Sequence, residues 1–205
     1  QKQRRRCIRT TRKDKMAIAR DKLQIFESTP FLAADWLKET VRPYIESYTP
    51  GKEDPSADKD TPIKHRNSIH AILTFHRGAS MDDAVKALDR FINLLALHTG
   101  LYRGRIWVVG VLIETMEAPL PGLPSEPAYH CHLIAKSPKA RRTGRTVARI
   151  KEHHPAIAEG LADTLQSFTA EPVFDLPGLI SYINGSRNLK NPLIKKVWKI
   201  SQIGG

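Results

Sequence analysis

The chain has 205 residues, 40% of them hydrophobic, with 33 Lys and Arg against 21 Asp and Glu and a formal net charge of +12. That size and apolar content suit one folded domain with a real core plus an extension, and the positive excess points to a polyanionic partner, most often nucleic acid. No apolar run approaches the roughly 18 residues of a membrane-spanning helix, and two cysteines, Cys7 and Cys131, exclude a disulfide framework and suit a reducing interior.

In chain order, residues 1–22 carry a dense basic run that includes Arg4, Arg5, Arg6, Arg9, Arg12, Lys13, Lys15, Arg20 and Lys22. It reads as a solvated arm or as a source of sequence-blind phosphate contacts. No apolar stretch follows its first residues, so a secretory signal is not expected. Residues 30–48 predict a helix. Pro30 suits its first turn, and Phe31, Leu32, Trp36, Leu37, Val41, Tyr44 and Ile45 recur at helical spacing. A polar linker over 49–62 then divides the chain into an N-terminal helical extension, 1–60, and a main domain, 61–205.

In the main domain, 68–75 predicts a first strand. Ser80 is the expected N-cap of a helix over 81–98 that closes at Gly100. A second strand covers 105–114, a loop rich in Pro and Gly follows over 117–127, and a third strand covers 128–136. Basic residues cluster over 136–151. A helical region then runs to about residue 168, broken near His154-Pro155. A short strand at 172–174, a helix opened by Asp175-Leu176-Pro177-Gly178 and a last strand near 197–200 complete the series. The order β-α-β-β-α-β implies an α+β fold with a central antiparallel sheet of the ferredoxin-like kind, covered by helices on one side.

The chemistry concentrates in the third strand. In Tyr129-His130-Cys131-His132-Leu133-Ile134, strand alternation sends His130 and His132 to one face and Cys131 to the other. Two neutral imidazoles on one face form a metal-binding pair. Strands two and three should pair as a hairpin, and Glu114, closing strand two, is the carboxylate expected beside them, with Glu117 and Glu126 behind it. Two nitrogens and one carboxylate suit Mn²⁺ or Mg²⁺ and accept Zn²⁺, Co²⁺ or Ni²⁺. Such a site can polarise a phosphoryl oxygen and orient a phosphodiester. His70 and His76 flank the first strand and could line a nucleic-acid groove.

Three ordered features resemble the HUH endonucleases, named for His-hydrophobic-His, and among them the Rep proteins of rolling-circle replication. They are the strand Ile72-Leu73-Thr74-Phe75, Glu114 ahead of His130-Cys131-His132, and Tyr182 on a predicted helix 50 residues after His132. The likeness spans about residues 68–190. It implies metal-dependent, site-specific nicking and joining of single-stranded DNA at an origin or hairpin. Tyr182 would be the nucleophile, giving a covalent 5′-phosphotyrosine and a free 3′-OH. Glu114, His130 and His132 would hold the metal, Mn or Mg. Lys136, Lys139, Arg141, Arg142, Arg145, Arg187 and Lys190 would meet the DNA. A replication helicase and further copies of the chain are the partners to expect. The location would be cytoplasmic in a bacterial, plasmid or phage setting, or the host nucleus for a eukaryotic virus.

The metal motif precedes the tyrosine, which separates the chain from most relaxases. It departs from many Rep proteins where a lysine follows the tyrosine by three residues; here that position is Gly185. Arg187 or Lys190 would supply the cation if the chain turns back after Gly185. Two other readings stand beside this one: a single-tyrosine transposase of the same superfamily, and a non-enzymatic basic nucleic-acid-binding module.

Overall fold

A computed structural model describes residues 23–46, 68–117, 121–137, 147–173, 175–185 and 188–202. The basic run 1–22, the linker 49–62 and the cluster members Lys139, Arg141, Arg142 and Arg145 lie outside the described residues, as does Arg187. The described elements are β1 (Gln24–Ser28), α1 (Pro30–Glu46), β2 (Ser68–Phe75), α2 (Met81–Thr99), β3 (Trp107–Glu117), β4 (Glu126–Lys136), α3 (Ile150–Glu159), β5 (Leu165–Pro172), α4 (Leu176–Ile183) and β6 (Ile194–Gln202). No helix among them is long and apolar enough to cross a membrane.

The six strands form one antiparallel sheet in the order β1-β6-β3-β4-β2-β5. Its β3-β4-β2-β5 portion has the ferredoxin-like strand order, with α2 and α3 as the two crossovers. The fold is thus the α+β sheet that the element order implies, extended by β6 and β1 beyond β3. Helices cover both faces rather than one. On the first face α2 and α3 bury Leu73, Phe75, Leu88, Phe91, Leu112, Cys131 and Leu133. On the second, α1 and α4 bury Leu37, Val41, Val109, Val111, Ile113, Ile180 and Ile183.

Residues 24–46 are not a separate extension. β1 pairs with β6 along its whole length, and α1 places Ala33, Leu37 and Val41 in the same core as β3 and α4. Thr29 caps α1, its hydroxyl accepting the Leu32 amide at 3.3 Å. The Ser80 capping box and the left-handed Gly100, φ 66°, bound α2 as expected. Two expectations fail between residues 150 and 174. α3 passes through Pro155 without a break and ends at Gly160, and residues 165–172 form β5 instead of continuing a helix. Seven of the eight residues of β5 gain partners on β2, and that tertiary pairing overrides the local spacing.

Gly110 stands at a close approach of β3 to β4. A Cβ there would lie 2.2 Å from the His132 carbonyl oxygen and 2.6 Å from Leu133 Cδ2. The β3-β4 ladder that carries the histidines therefore admits no side chain at this point.

Candidate histidine and tyrosine site

The register fixes which side chains share the second face. On β4, His130 pairs with Thr74 of β2 and Ile113 of β3, and His132 pairs with Ile72 and Val111. His130 and His132 therefore point to the α1-α4 side, and Cys131 points to the α2-α3 core, as alternation requires. His70 of β2 stands opposite Ile134 and so joins the same face, on the diagonal from His132.

Three imidazoles adjoin there. His70 Nε2 lies 3.1 Å from His132 Nδ1, and the two rings stack with centroids 5.4 Å apart and an 8° tilt. The His130 ring stands edge-on to His132 at 5.5 Å. Burial lowers the pKa of His70 to about 4. Burial first, then the charges of His70 and His130, lowers that of His132 to about 3, against an opposing hydrogen bond from Asn188. His130 is also lowered by burial, with the Glu117 carboxylate pulling the other way. All three rings are therefore neutral near pH 7 and carry lone pairs rather than charge.

α4 brings Tyr182 to this cluster. Asp175 opens the helix by accepting the Gly178 amide at 3.0 Å, and Leu176, Ile180 and Ile183 bury its inner stripe. Tyr182 is 50% exposed, yet its ring stands edge-on to His132 at 5.8 Å and to His70 at 6.5 Å. After α4 the chain does turn back: the amides of Asn188 and Lys190 both reach the Gly185 carbonyl, at 3.1 Å each. Lys190 is exposed and lines a groove of about 890 Å³ between α1 and α4, together with Lys38, Asp35 and Phe31.

Glu114 is not beside the histidines. Its partner across the β3-β4 ladder is Tyr129, one residue short of His130, so its side chain lies on the opposite face. There the Tyr129 hydroxyl donates to Glu114 Oε2 at 2.9 Å; burial and this carboxylate push Tyr129 up to about 12. The ligand set Glu114, His130 and His132 is therefore not brought together. Glu117 lies on the histidine face with its ladder partner Glu126, accepts the Thr115 hydroxyl at 3.2 Å and lies 3.5 Å from Arg77, and Glu171 of β5, opposite His70, shares that face. Lys136 ends β4, opposite Trp107 and Ser68. Cys131 is fully buried with its thiol pushed up by burial, so it belongs to the core and not to the site.

The group sequence reasoning passed over is His70, assigned there only to a groove edge. Its signal is alternation on the first strand: His70, Ile72 and Thr74 share a face, and β2 lies directly against β4. Asn188 also escaped notice, because a polar loop residue carries no periodic signal. Its side chain accepts from His132 Nε2 and donates to the Tyr182 carbonyl, at 3.0 Å each.

In donor chemistry the three neutral imidazoles suit a divalent transition ion. In arrangement, no three His, Cys, Asp or Glu side chains among the described residues converge as a metal-binding group. His70 and His132 spend one nitrogen each on their mutual hydrogen bond. No family model, curated protein or solved structure matches the chain.

Proposed function

We propose that the chain nicks and rejoins single-stranded DNA through Tyr182, as HUH enzymes of the Rep kind do, in the initiation of rolling-circle replication. One observation carries this reading: a half-exposed tyrosine held edge-on against a partly buried, neutral histidine cluster that includes both histidines of the His-x-His motif. The net charge of +12 suits the substrate.

The step is a transesterification. The Tyr182 oxygen attacks phosphorus, its proton leaves to a base or to water, and the P–O bond to the 3′ oxygen breaks. The products are a 5′-phosphotyrosine and a free 3′-OH, and the reverse attack rejoins the strand. Neutral imidazoles cannot offset the phosphate's charge themselves; their lone pairs are suited to holding a cation that does. His130 and, after exchange of the hydrogen bond that His132 and His70 share, these two rings as well would hold a divalent ion, which would supply positive charge at the phosphate oxygens. With Glu114 on the other face, the donor set is richer in nitrogen than the sequence implies, which favours Mn²⁺ over Mg²⁺. Lys190, in the turn after α4, or Arg187 just before it in sequence would be the cation in place of the lysine absent at Gly185.

The test is incubation with a library of labelled random single-stranded oligonucleotides and Mn²⁺, followed by denaturing electrophoresis. A slow-migrating adduct is expected, and Tyr182→Phe should abolish it while retaining DNA binding. Persistence of the adduct in Tyr182→Phe would remove Tyr182 from the role. Binding without cleavage under every ion tried would instead favour the basic nucleic-acid-binding module.

A further inference from the structure

We infer that Asn188 is the positioning residue of this site: one buried amide that ties the tyrosine-bearing helix to the histidine cluster. The inference rests on the reading of Tyr182 as nucleophile.

Asn188 is 5% exposed, and both ends of its amide are engaged inside the protein. Nδ2 donates to the Tyr182 carbonyl at 3.0 Å, so Oδ1 is the end that faces His132 Nε2 at 3.0 Å. A carbonyl can only accept, which fixes the amide's orientation and with it the proton positions beyond. His132 carries its proton on Nε2 and donates it to Asn188. Its Nδ1 is then the lone pair that accepts from His70 Nε2–H. One continuous chain of hydrogen bonds runs from the backbone of Tyr182 through Asn188 and His132 to His70.

The tether is placed at the C-terminal end of α4. Tyr182 lies in the last turn, whose carbonyls lack intrahelical partners. The Gly185 amide takes the same Tyr182 carbonyl at 3.0 Å, and Asn188 adds a second donor from outside the helix. Asn188 is held in turn by its neighbours. Its amide bonds to Gly185, the Leu189 amide bonds to the Ile183 carbonyl at 3.2 Å, and the Leu189 side chain is buried in the α1-α4 core. The residue that accepts from His132 thus sits on a pinned turn, and it fixes how far the Tyr182 backbone stands from that ring. In the family pattern a cation follows the tyrosine by one helical turn. Gly185 occupies that place here and lets the chain fold back to deliver an amide instead.

The comparison uses Asn188→Asp and Asn188→Ala in the full chain. Asp is the same size and still accepts from His132, but it cannot donate to Tyr182; Ala does neither. Both should slow single-turnover adduct formation by about tenfold to hundredfold, the scale of a misplaced reacting group. Oligonucleotide affinity should stay within about twofold, since neither bond faces DNA. A second readout uses metal-free protein: hydrogen exchange of the last-turn α4 amides should quicken in both variants, and the slowly exchanging His132 Nε2–H should survive only in Asn188→Asp. Unchanged adduct rates and unchanged α4 exchange in Asn188→Asp, which is the variant least prone to misfold, would overturn the inference. If wild-type protein forms no adduct with any ion, the nuclease reading fails on its own, and the exchange comparison still decides whether the amide is a tether.

Discussion

Lowering the pH in the presence of a chelator perturbs the histidine cluster without touching any ion. The folded-state pKa of His70 is about 4 and that of His132 about 3, against an ordinary imidazole value of 6.5. Both are depressed by folding, so the unfolded chain takes up the protons first as pH falls. Stability is therefore complete above about pH 6.5 and is lost on the way down toward the folded values. At about pH 4.5 each unfolded imidazole lies about 2 pH units below its pKa, worth on the order of 2 to 3 kcal/mol, while the folded rings remain mostly neutral. The pair then removes roughly 5 kcal/mol, which rivals the whole stability of many domains, and His130 adds to it in the same direction. Urea unfolding followed by tryptophan fluorescence at about pH 7.5 and about pH 4.5 measures the loss, and ordinary carboxylates contribute little over most of that window. His70→Asn should recover at least half of it, because one depressed imidazole is gone and its charge no longer holds His132 down. If wild type and His70→Asn lose the same stability between these pH values, the cluster is not buried and neutral as described.

Three further outcomes follow from the same geometry. Gly110→Ala forces a methyl to within 2.2 Å of the His132 carbonyl, so it should cost about 3 kcal/mol or more by thermal denaturation; a loss below about 1 kcal/mol would show that the β3-β4 ladder yields easily. Titration calorimetry with Mn²⁺ should show His70→Ala weakening binding by about tenfold or more and Glu114→Gln by less than about twofold, because only His70 lies on the face of His130 and His132; the opposite ranking would restore Glu114 to the site. In a Cys7→Ser background, Cys131 should react with a thiol reagent only at the rate of unfolding, since it is fully buried and its thiol is pushed up; immediate stoichiometric labelling would contradict its place under α2.

The parts of the fold carried by local pattern were legible in the sequence. Ser80 and Gly100 announce the ends of α2, and His130-Cys131-His132 in an apolar run announces two faces of a strand. The β3-β4 hairpin was also legible, since sequential strands tend to pair. What failed depends on distances of a single residue or on partners far away in sequence. Glu114 missed the histidine face because the ladder pairs it with Tyr129 and gives His130 to Ile113, and one residue of register inverts a side chain. His70 could be found only by knowing that β2 lies against β4, a neighbour 62 residues away from His132. Gln24–Ser28 has little buried pattern of its own and becomes a strand because β6 offers an open edge. Leu165 and Phe168 have helical spacing but are spent on a strand that β2 completes.

The second face of the sheet is divided, and the division bears on the role proposed for Tyr182. Over β3 it is apolar and roofed by α1 and α4, through Val109, Val111 and Ile113 with Val197 of β6 beside them. Toward β2 and β5 it turns polar and opens. His132 is buried, His70 and Thr74 are half-buried, and Ser167, Thr169 and Glu171 on the edge strand are exposed. Tyr182 belongs to the helix that closes the apolar half, yet its ring meets the imidazoles on the polar half, at the line where cover ends. A tyrosine that served packing alone would turn inward with Ile180 and Ile183, and one that served solubility alone would turn away from the sheet. Its placement between a buried lone-pair cluster and an open polar strand surface suits a nucleophile that must meet a substrate laid along β2 and β5. It also gives the last turn of α4 a use for a tether: Ile183 anchors α4 to the apolar half, and Asn188 joins the Tyr182 ring in linking it to the histidines across that line.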